Sequence, residues 1–229
     1  MKLVSIRQPG YLPYLGFFKK IESSDVFVFL DDVQFEKNDW DNRNKIKTPD
    51  GAAWLTIPIL HKFGTKLNEI KIDNTQDWNK KHTKTLEMNY QKTKYFSKYW
   101  KDVEFILNKK WDKLIDLNFE FITYFMKKLK IETPTIKSSE LKIKKTGSNR
   151  LLEICKKLNS DTYLSGELGI NYLNEEIFSR NNIDVKYEKF VHPTHKQIHG
   201  EFLPNMSIID ILFNEGENAA KILKETKNY

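Results

Sequence analysis

Two short apolar segments near the amino terminus, each followed at once by a polar loop, place the strongest constraint on the fold of this 229-residue chain. Residues 3–6 run into Arg7-Gln8-Pro9-Gly10-Tyr11-Leu12-Pro13-Tyr14, and residues 26–30 run into Asp31-Asp32-Val33-Gln34-Phe35. Between them, Leu15, Phe18 and Ile21 recur at intervals of three, which predicts a helix over residues 14–23. Open α/β sheets bind ligands at the carboxyl ends of such strands. The sequence therefore predicts the functional site at the ends of these two segments.

The carboxyl-terminal half shows a similar alternation of strands and helices, which is typical of parallel βαβ units. The predicted fold class is therefore α/β, with a mainly parallel open sheet and flanking helices. The elements that we predict here are strands at 134–144, 162–164 and 184–187, a helix over 150–158 capped by Ser148 and Asn149, a helix from Gly166 to about residue 180, a loop over 190–205, a helix capped by Ser207, and a last helix from about residue 217.

The middle of the chain changes from strand to helix character. A hairpin over residues 45–58 and a strand over 67–72 precede three helices, at 75–92, 95–108 and 111–130. The third helix carries a wide apolar stripe of Leu114, Leu117, Phe121, Ile122 and Phe125. We expect one domain over residues 1–229, in which 75–130 is a helical insertion or packing layer and 131–217 is the carboxyl-terminal α/β half.

Composition limits the class of protein. Hydrophobic residues make up 39% of the chain, enough for a folded core. No apolar run approaches the roughly 18–20 residues that span a bilayer, and the amino terminus lacks the apolar segment of a signal peptide. The single cysteine, Cys155, excludes an internal disulfide and is expected in the core. We therefore expect a cytoplasmic protein with no membrane span.

The net charge of +7 raises the possibility of a nucleic-acid partner, but the kind of basic residue argues against it. The chain has 34 lysines and four arginines, and arginine supplies most bidentate contacts to phosphates and bases. The lysines lie along predicted helical faces, so we expect a solvated basic surface. The scarce arginines Arg7, Arg43 and Arg150 lie at or beside the motifs, where a planar guanidinium suits an anionic group.

The loops after the first two strands supply candidate ligand contacts. Gln8, Tyr11 and Tyr14 fit a shaped pocket wall whose tyrosines stack on a ligand ring; the alternative is a rigid turn with buried aromatics. Asp31 and Asp32 could bind a sugar hydroxyl, coordinate Mg²⁺ or act as a base, or they could only cap and form the turn. A metal site would need more carboxylates than this stretch offers, and we predict none.

Three further groups of residues are candidates. Asn42 and Arg43 offer an amide beside a guanidinium for phosphate or carboxylate, unless ion pairs with Asp39 and Asp41 only anchor the loop. Arg150 opens a helix, where backbone N–H groups favour anions. The remaining candidates are the loop histidines His192, His195 and His199, which lack the accompanying ligands of a zinc site, and Ser165, a hydroxyl at a strand end without a nucleophile elbow.

Several elements of the chain together resemble one family. They are the Gln-Pro-x-Tyr-Leu-Pro-aromatic opening, residues 25–35 with Gln34, Asn42-Arg43-Asn44, residues 161–166, His192-Pro193 with Gln197, and residues 203–216. Over about residues 3–217 the chain is similar to the WbqC-like protein family. Arg7 stands where that family usually has histidine, and His195 stands where it usually has an aromatic residue.

The resemblance implies a function that the residues alone do not. Members of the family are associated with bacterial surface-polysaccharide (O-antigen) gene clusters, and a glycine-transfer role has been suggested for one. It implies an enzyme that transfers an acyl or aminoacyl group to an amino sugar, including a nucleotide-linked one, with a small activated donor as the second partner. No cofactor is indicated. The alternatives are a non-catalytic protein that binds a nucleotide-sugar or lipid-linked intermediate, and a nucleic-acid-binding protein.

Combining the resemblance with the residues gives a hypothesis for the site. Tyr11 and Tyr14 stack on the ligand, Arg43 and Arg7 hold phosphate or carboxylate, and His192 or Asp32 deprotonates the attacking amine. The other residues expected to contact substrate are Gln8, Asp31, Gln34, Asn42, Arg150, Ser165 and Gln197.

Overall fold

The computed structural model describes residues 1–37 and 39–227. Its strands are β1 Leu3–Arg7, β2 Val26–Phe29, β3 Arg43–Thr48, β4 Gly51–Thr56, β5 Ile59–Leu60, β6 Lys71–Ile72, β7 Thr135–Lys137, β8 Thr162–Ser165 and β9 Asp184–Tyr187. Its α-helices are α1 Leu15–Glu22, α2 Trp78–Tyr90, α3 Phe96–Asn108, α4 Leu114–Lys128, α5 Gly147–Lys157, α6 Glu175–Ser179, α7 Ile208–Glu215 and α8 Asn218–Glu225.

Five of the strands form a parallel sheet in the order β7-β2-β1-β8-β9. In its register Val4 pairs with Val26 on one side of β1, and Leu3 pairs with Thr162 on the other. The chain adds β2 and β7 on one side of β1 and then returns to the other side for β8 and β9. The strand order therefore reverses between β1 and β8. The carboxyl ends of these two strands form a crevice of the kind that binds ligands in open α/β sheets.

The sheet is packed with helices on both faces, which confirms the predicted α/β class. Along β2, Phe27 and Phe29 point to one face and Val26 and Val28 to the other, because successive side chains of a strand alternate. The phenylalanine face packs against α1, the middle helices, α7 and α8. The valine face packs against α5 and α6. The crossover helices thus change face at the strand reversal, which leaves the crevice between β1 and β8 uncovered.

The middle helices α2, α3 and α4 form a layer that packs on the sheet. A helical insertion or packing layer was predicted for this part of the chain. The three helices enter between β2 and β7 and join the larger hydrophobic core. The predicted stripe on α4 is buried, and its ring pairs include Phe121 stacked on Phe125 at 5.8 Å. In the part of the chain that the structure describes, no helix combines the length and apolarity that a membrane span needs.

Two of the predicted strands are shorter than expected, and a 3₁₀ helix occupies the rest of each segment. The predicted strand 67–72 is a 3₁₀ helix, Leu67–Glu69, followed by β6, since the amide of Leu67 donates to Val33 O at 2.8 Å. The predicted strand 134–144 is only β7, followed by the 3₁₀ helix Ser138–Leu141. There the amide of Ser139 donates to the carboxylate of Asp31 at 2.9 Å, and the chain turns out of the sheet.

Two helix predictions also need correction. Helix α5 begins at Gly147 after Thr146, so Ser148 and Asn149 lie inside it and do not cap it. The hydroxyl of Ser148 instead accepts a hydrogen bond from the amide of Asn174 at 3.0 Å. The predicted helix from Gly166 is a 3₁₀ helix, Glu167–Asn171, followed by α6, and Asn174 precedes α6. The cap at Ser207 is confirmed, since its side chain accepts from the amide of Ile209.

The packing layer also holds the loops of the crevice in place. Asn118 on α4 is fully buried, and its Nδ2 donates to Pro9 O at 2.9 Å and to Asp41 O at 2.8 Å. One side chain therefore ties the loop after β1 to the loop before β3. Buried carbonyl groups need such donors, because each one left unpaired costs about 1–3 kcal/mol.

We expect Asn118→Ala to lower the free energy of unfolding by about 2 kcal/mol or more, because it leaves two buried carbonyls without a donor. Urea unfolding followed by circular dichroism measures this change. Asn108→Ala, at the exposed end of α3, is the matched control and should change stability by less than about 0.5 kcal/mol. Equal stability of the two variants would contradict the role given to Asn118.

Candidate functional site

Two adjoining cavities lie at the carboxyl edge of the sheet, where β1 and β8 are neighbours. The smaller cavity has a volume of about 320 Å³ and the larger one about 700 Å³. Both are lined by Arg7 and Gln8 at the end of β1 and by Glu167 after β8. This is the position that the strand order marks as a ligand site. The other residues that line both cavities are Tyr14, Asp39, Trp40 and Phe190.

One buried carboxylate holds two cations at the wall of the larger cavity. Glu188, which follows β9, accepts a hydrogen bond at Oε2 from Lys20 Nζ at 2.9 Å. Arg7 Nη1 lies 4.0 Å from the same oxygen. Burial lowers the pKa of Lys20 to about 8; the charge of Arg7 acts in the same direction and Glu188 opposes it. Two cations therefore share one buried carboxylate at the wall of this cavity, whose lining also includes the carboxylates of Glu36, Asp39 and Glu167.

A second buried carboxylate, Asp41, lines the smaller cavity. Its Oδ2 has no hydrogen-bond partner among residues 1–37 and 39–227. Burial, together with the charges of Asp39 and Glu36, raises the pKa of Asp41 to about 7, although the charge of Arg7 opposes them. A carboxyl group that titrates near neutral pH can take up and release a proton under cellular conditions. That property suits a general base.

Aromatic rings form the apolar part of the site. Tyr14 and Phe190 meet edge to face with ring centroids 5.8 Å apart, and the guanidinium of Arg7 lies 5.6 Å from the Tyr14 centroid. Gly16 makes this contact possible, because a Cβ there would lie 2.5 Å from the ring of Tyr14 and 2.7 Å from that of Phe190. Tyr14 therefore lies where a stacking residue was predicted. Tyr11 does not: it is fully buried, and its hydroxyl hydrogen-bonds His82 Nδ1 at 2.9 Å.

The two aspartates after β2 bind protein groups. Asp31 accepts from the amide of Ser139 at 2.9 Å and from its hydroxyl at 2.7 Å. Asp32 pairs with Arg150 and also accepts from the hydroxyl of Ser138. Burial would raise the pKa of Asp32, but these hydrogen bonds outweigh it and lower the pKa below its usual value. Arg150 lines the larger cavity, while neither aspartate is among the residues that line the two cavities.

The Asn-Arg-Asn element lies at the start of β3, and its members have different environments. Asn42 donates to Ile57 O at 2.8 Å, and Asn44 donates to Leu12 O at 2.8 Å, so both amides cross-link the loops. Asn44 also lines the smaller cavity. The guanidinium of Arg43 lies 4.3 Å from the ring centroid of Trp54, outside both linings. Gln34 is exposed and lines the larger cavity.

Two of the loop histidines, His192 and His195, belong to a different polar cluster, whereas His199 Nε2 lies 2.9 Å from Asn89 O. Asp210 on α7 accepts from Gln197 Nε2 at 2.7 Å, lies 2.8 Å from His195 Nε2, and accepts from the hydroxyl of Tyr90. His192 lies against His195, and burial lowers the pKa of His192 to about 4. Neither His192 nor Gln197 lines the two cavities. The cluster fastens the loop that ends in the cavity wall.

The sequence analysis missed Lys20, Asp41 and Glu188. Lys20 lies on the predicted inward helix, but lysine is common on surfaces and gave no signal there. Asp41 was read only as an ion-pair partner, and Glu188 follows a strand that was predicted without a motif. Ser165 is fully buried in β8, and Cys155 is in the core as predicted, where burial raises its thiol pKa to about 12. Within the described ranges no three or more His, Cys, Asp or Glu side chains group as metal ligands would.

Comparisons with known proteins match the chain to one family model and to one mycobacterial protein. The model of the WbqC-like protein family matches residues 8–222 of the chain. A protein of Mycobacterium tuberculosis (strain H37Rv) named "Uncharacterized protein Rv1507c" is 34% identical over 229 residues, with 98% of each chain covered. No solved structure matches the chain.

The raised pKa of Asp41 predicts a specific dependence of stability on pH. Its pKa is about 4 in the unfolded chain and about 7 in the folded one, so between these values the folded state binds more protons. Wild type therefore loses stability relative to Asp41→Asn as the pH rises from about 4 to about 7. Urea unfolding of both proteins at pH 4, 5.5 and 7.5 measures the difference.

The matched control is Asp112→Asn, because Asp112 is largely exposed. Its stability difference from wild type should stay constant across the three pH values. If the difference for Asp41→Asn is equally constant, the carboxyl of Asp41 does not titrate as its surroundings predict.

Proposed function

Because the chain belongs to the WbqC-like protein family, we propose that it transfers an acyl or aminoacyl group to the amine of an amino sugar in bacterial surface-polysaccharide (O-antigen) biosynthesis. The glycan context rests on the resemblance to that family. The reaction type rests on the same resemblance, and the observation that supports it is the buried carboxyl of Asp41, with a pKa of about 7, in the same cavity wall as Arg7.

The smaller cavity suits an amine acceptor. Asp39 and Asp41 place negative charge where an ammonium group would bind, and Tyr14, Trp40 and Phe190 offer ring faces and edges to the apolar side of a sugar. A cavity of about 320 Å³ has room for one sugar unit and part of a donor. Carboxylates and rings together therefore favour an amino sugar over a neutral one.

Asp41 is the general base in the reaction that we propose. The bound ammonium group loses one proton to Asp41, and the neutral nitrogen forms a bond to the carbonyl carbon of an activated acyl or aminoacyl donor. The bond between that carbon and the leaving group of the donor then breaks, and the leaving group departs with the electron pair and with the second proton of the nitrogen. A base with a pKa near the working pH is the most effective, since it is both deprotonated and basic enough.

Arg7 binds the anionic part of the donor in this mechanism. It lies with Lys20 beside Glu188 in the wall of the larger cavity, and its guanidinium can bind a carboxylate or phosphate of the donor there. Among the predicted anion-binding residues, Arg7 and Arg150 line this cavity, and Arg150 is already paired with Asp32.

The geometry favours Asp41 over the two bases predicted from sequence. Asp32 is held by Arg150 and Ser138, which keep its pKa low and its oxygens occupied. His192 lies behind Phe190, with ring centroids 5.8 Å apart, and is outside both linings. Both residues remain alternatives in the test that follows.

The test is a transfer assay read by mass spectrometry. Nucleotide-linked and free amino sugars are incubated with acyl-CoA, or with an amino acid and ATP, and the product is an amide on the sugar. We expect wild-type turnover to rise with pH through an apparent pKa of about 7. Asp41→Asn should lower kcat by roughly 10²–10⁴-fold, the usual contribution of a general base, while Asp112→Asn keeps wild-type turnover.

Each outcome decides between the hypotheses. Product formed equally well by Asp41→Asn would exclude Asp41 as the base and return the role to His192 or Asp32. An acceptor that raises the melting temperature but is never modified would contradict the enzyme and support the non-catalytic binding protein.

A further inference from the structure

We propose that an exposed pair of tryptophans beside the cavities is a binding site for a nucleoside diphosphate, the carrier end of a nucleotide-linked amino sugar. We call the four residues Trp40, Trp54, Arg43 and Lys45 the indole platform. The inference rests on the proposed function, because it names the form in which the acceptor arrives.

The hairpin of β3 and β4 builds the platform. Lys45 pairs with Trp54 in its register, and Arg43 lies two residues earlier on the same face of β3. Arg43 Cζ lies 4.3 Å and Lys45 Nζ 4.9 Å from the ring centroid of Trp54. The ring of Trp40 meets that of Trp54 with centroids 5.2 Å apart and planes tilted by 41°. Two cations and two indoles are therefore fixed against one another.

Exposure separates this pair from the other tryptophans. Trp40 and Trp54 are each 43% exposed, whereas Trp78 and Trp100 are in the core. Large aromatic side chains normally bury most of their surface, since they gain more from leaving water than other residues do. Two adjacent exposed indoles are a surface suited to a flat ring ligand, because aromatic rings stack on one another favourably.

The platform is continuous with the catalytic cavities. Trp40 lines both of them, directly between Asp39 and Asp41 in sequence. Its carbonyl accepts from the amide of Tyr11 at 3.2 Å. Gly10 allows that close approach, because a Cβ there would lie 2.9 Å from the same carbonyl oxygen. The backbone of Trp40 is therefore held at a defined position at the cavity wall.

Charge indicates which ligand spans the platform and the cavity. The cavity side of Trp40 carries the carboxylates of Asp39 and Asp41, and the platform side carries the cations of Arg43 and Lys45. A ligand that satisfies both sides has an ammonium group at one end, and a flat ring with several negative charges at the other. A nucleoside diphosphate linked to an amino sugar has this distribution, with the base on the indoles and the phosphates on the cations.

Binding of free uridine diphosphate tests the platform without any turnover. We expect uridine diphosphate to quench tryptophan fluorescence and to bind in calorimetry, with uridine and inorganic diphosphate each binding more weakly. Trp54→Ala should weaken binding of uridine diphosphate about tenfold or more, and Trp54→Phe should retain most of it. Lys45→Ala should weaken binding about fivefold and reduce its dependence on salt.

Matched controls come from the loop between β5 and β6. Phe63, which is almost fully exposed, and its neighbour Lys62 lie on that loop, so Phe63→Ala and Lys62→Ala remove the same kinds of side chain elsewhere. Both should bind uridine diphosphate as wild type does. Melting temperatures show whether each variant is folded. If Trp54→Ala is not folded, Lys45→Ala still tests the site.

Three results would overturn the platform. The first is that neither uridine diphosphate nor adenosine diphosphate binds, and the second is that neither Trp54→Ala nor Lys45→Ala changes the binding. The third is that oligouridylate binds far more tightly than uridine diphosphate, which would indicate an RNA ligand. The platform and the proposed function fail separately. If Asp41→Asn loses transfer and uridine diphosphate does not bind at the platform, only the platform proposal is contradicted. If uridine diphosphate binds at the platform and Asp41→Asn keeps full transfer, only the proposed mechanism is contradicted.

Discussion

The position of β1 at the centre of the parallel sheet is the constraint on which the rest of the structure depends. Hydrogen bonds hold β1 to β2 on one side and to β8 on the other, and Val4 and Ile6 on one of its faces belong to an apolar core. Because the chain places β2 and β7 on one side of β1 and β8 and β9 on the other, no crossover helix covers the carboxyl ends of β1 and β8. Arg7 and Gln8 leave β1 at this uncovered point, and every element of the candidate site is arranged around them.

The buried charges explain why the site is rigid. A charged group removed from water must be paired, and Glu188 pairs with Lys20 from α1 while Arg7 from β1 lies 4.0 Å away. Asp32 and Arg150 make a corresponding pair between the end of β2 and α5. These pairs join elements that are far apart in sequence, so they fix the spacing of the strand ends that form the cavity. Asp41 differs from them, since its Oδ2 lacks a partner among the described residues and its pKa rises accordingly.

The parts of the fold that depend on local pattern could be predicted. Short strand-like segments between helical ones predicted β1, β2, β8 and β9. Apolar residues at helical spacing predicted α1 and the buried stripe of α4. The predictions that were wrong concern the ends of elements, where side chains from distant segments make contacts. After β7 the amide of Ser139 donates to Asp31, and before α6 the amide of Asn174 donates to Ser148. Among the predicted site residues, Arg7, Gln8, Tyr14, Gln34 and Arg150 line a cavity, whereas Tyr11, Asp31 and His192 do not.

The sequence by itself determined the class of fold, the place of the candidate site at the ends of the first strands, and the family, because these follow from periodicity and from motifs that are continuous along the chain. Only the tertiary structure decided which side chains line the candidate site and which of them have shifted pKa values. Lys20, Asp41 and Glu188 carry no local signal, and the pKa values of Lys20 and Asp41 arise from burial and from charges contributed by other segments. Burial and long-range charge are properties of the folded chain, so no reading of neighbouring residues could supply them.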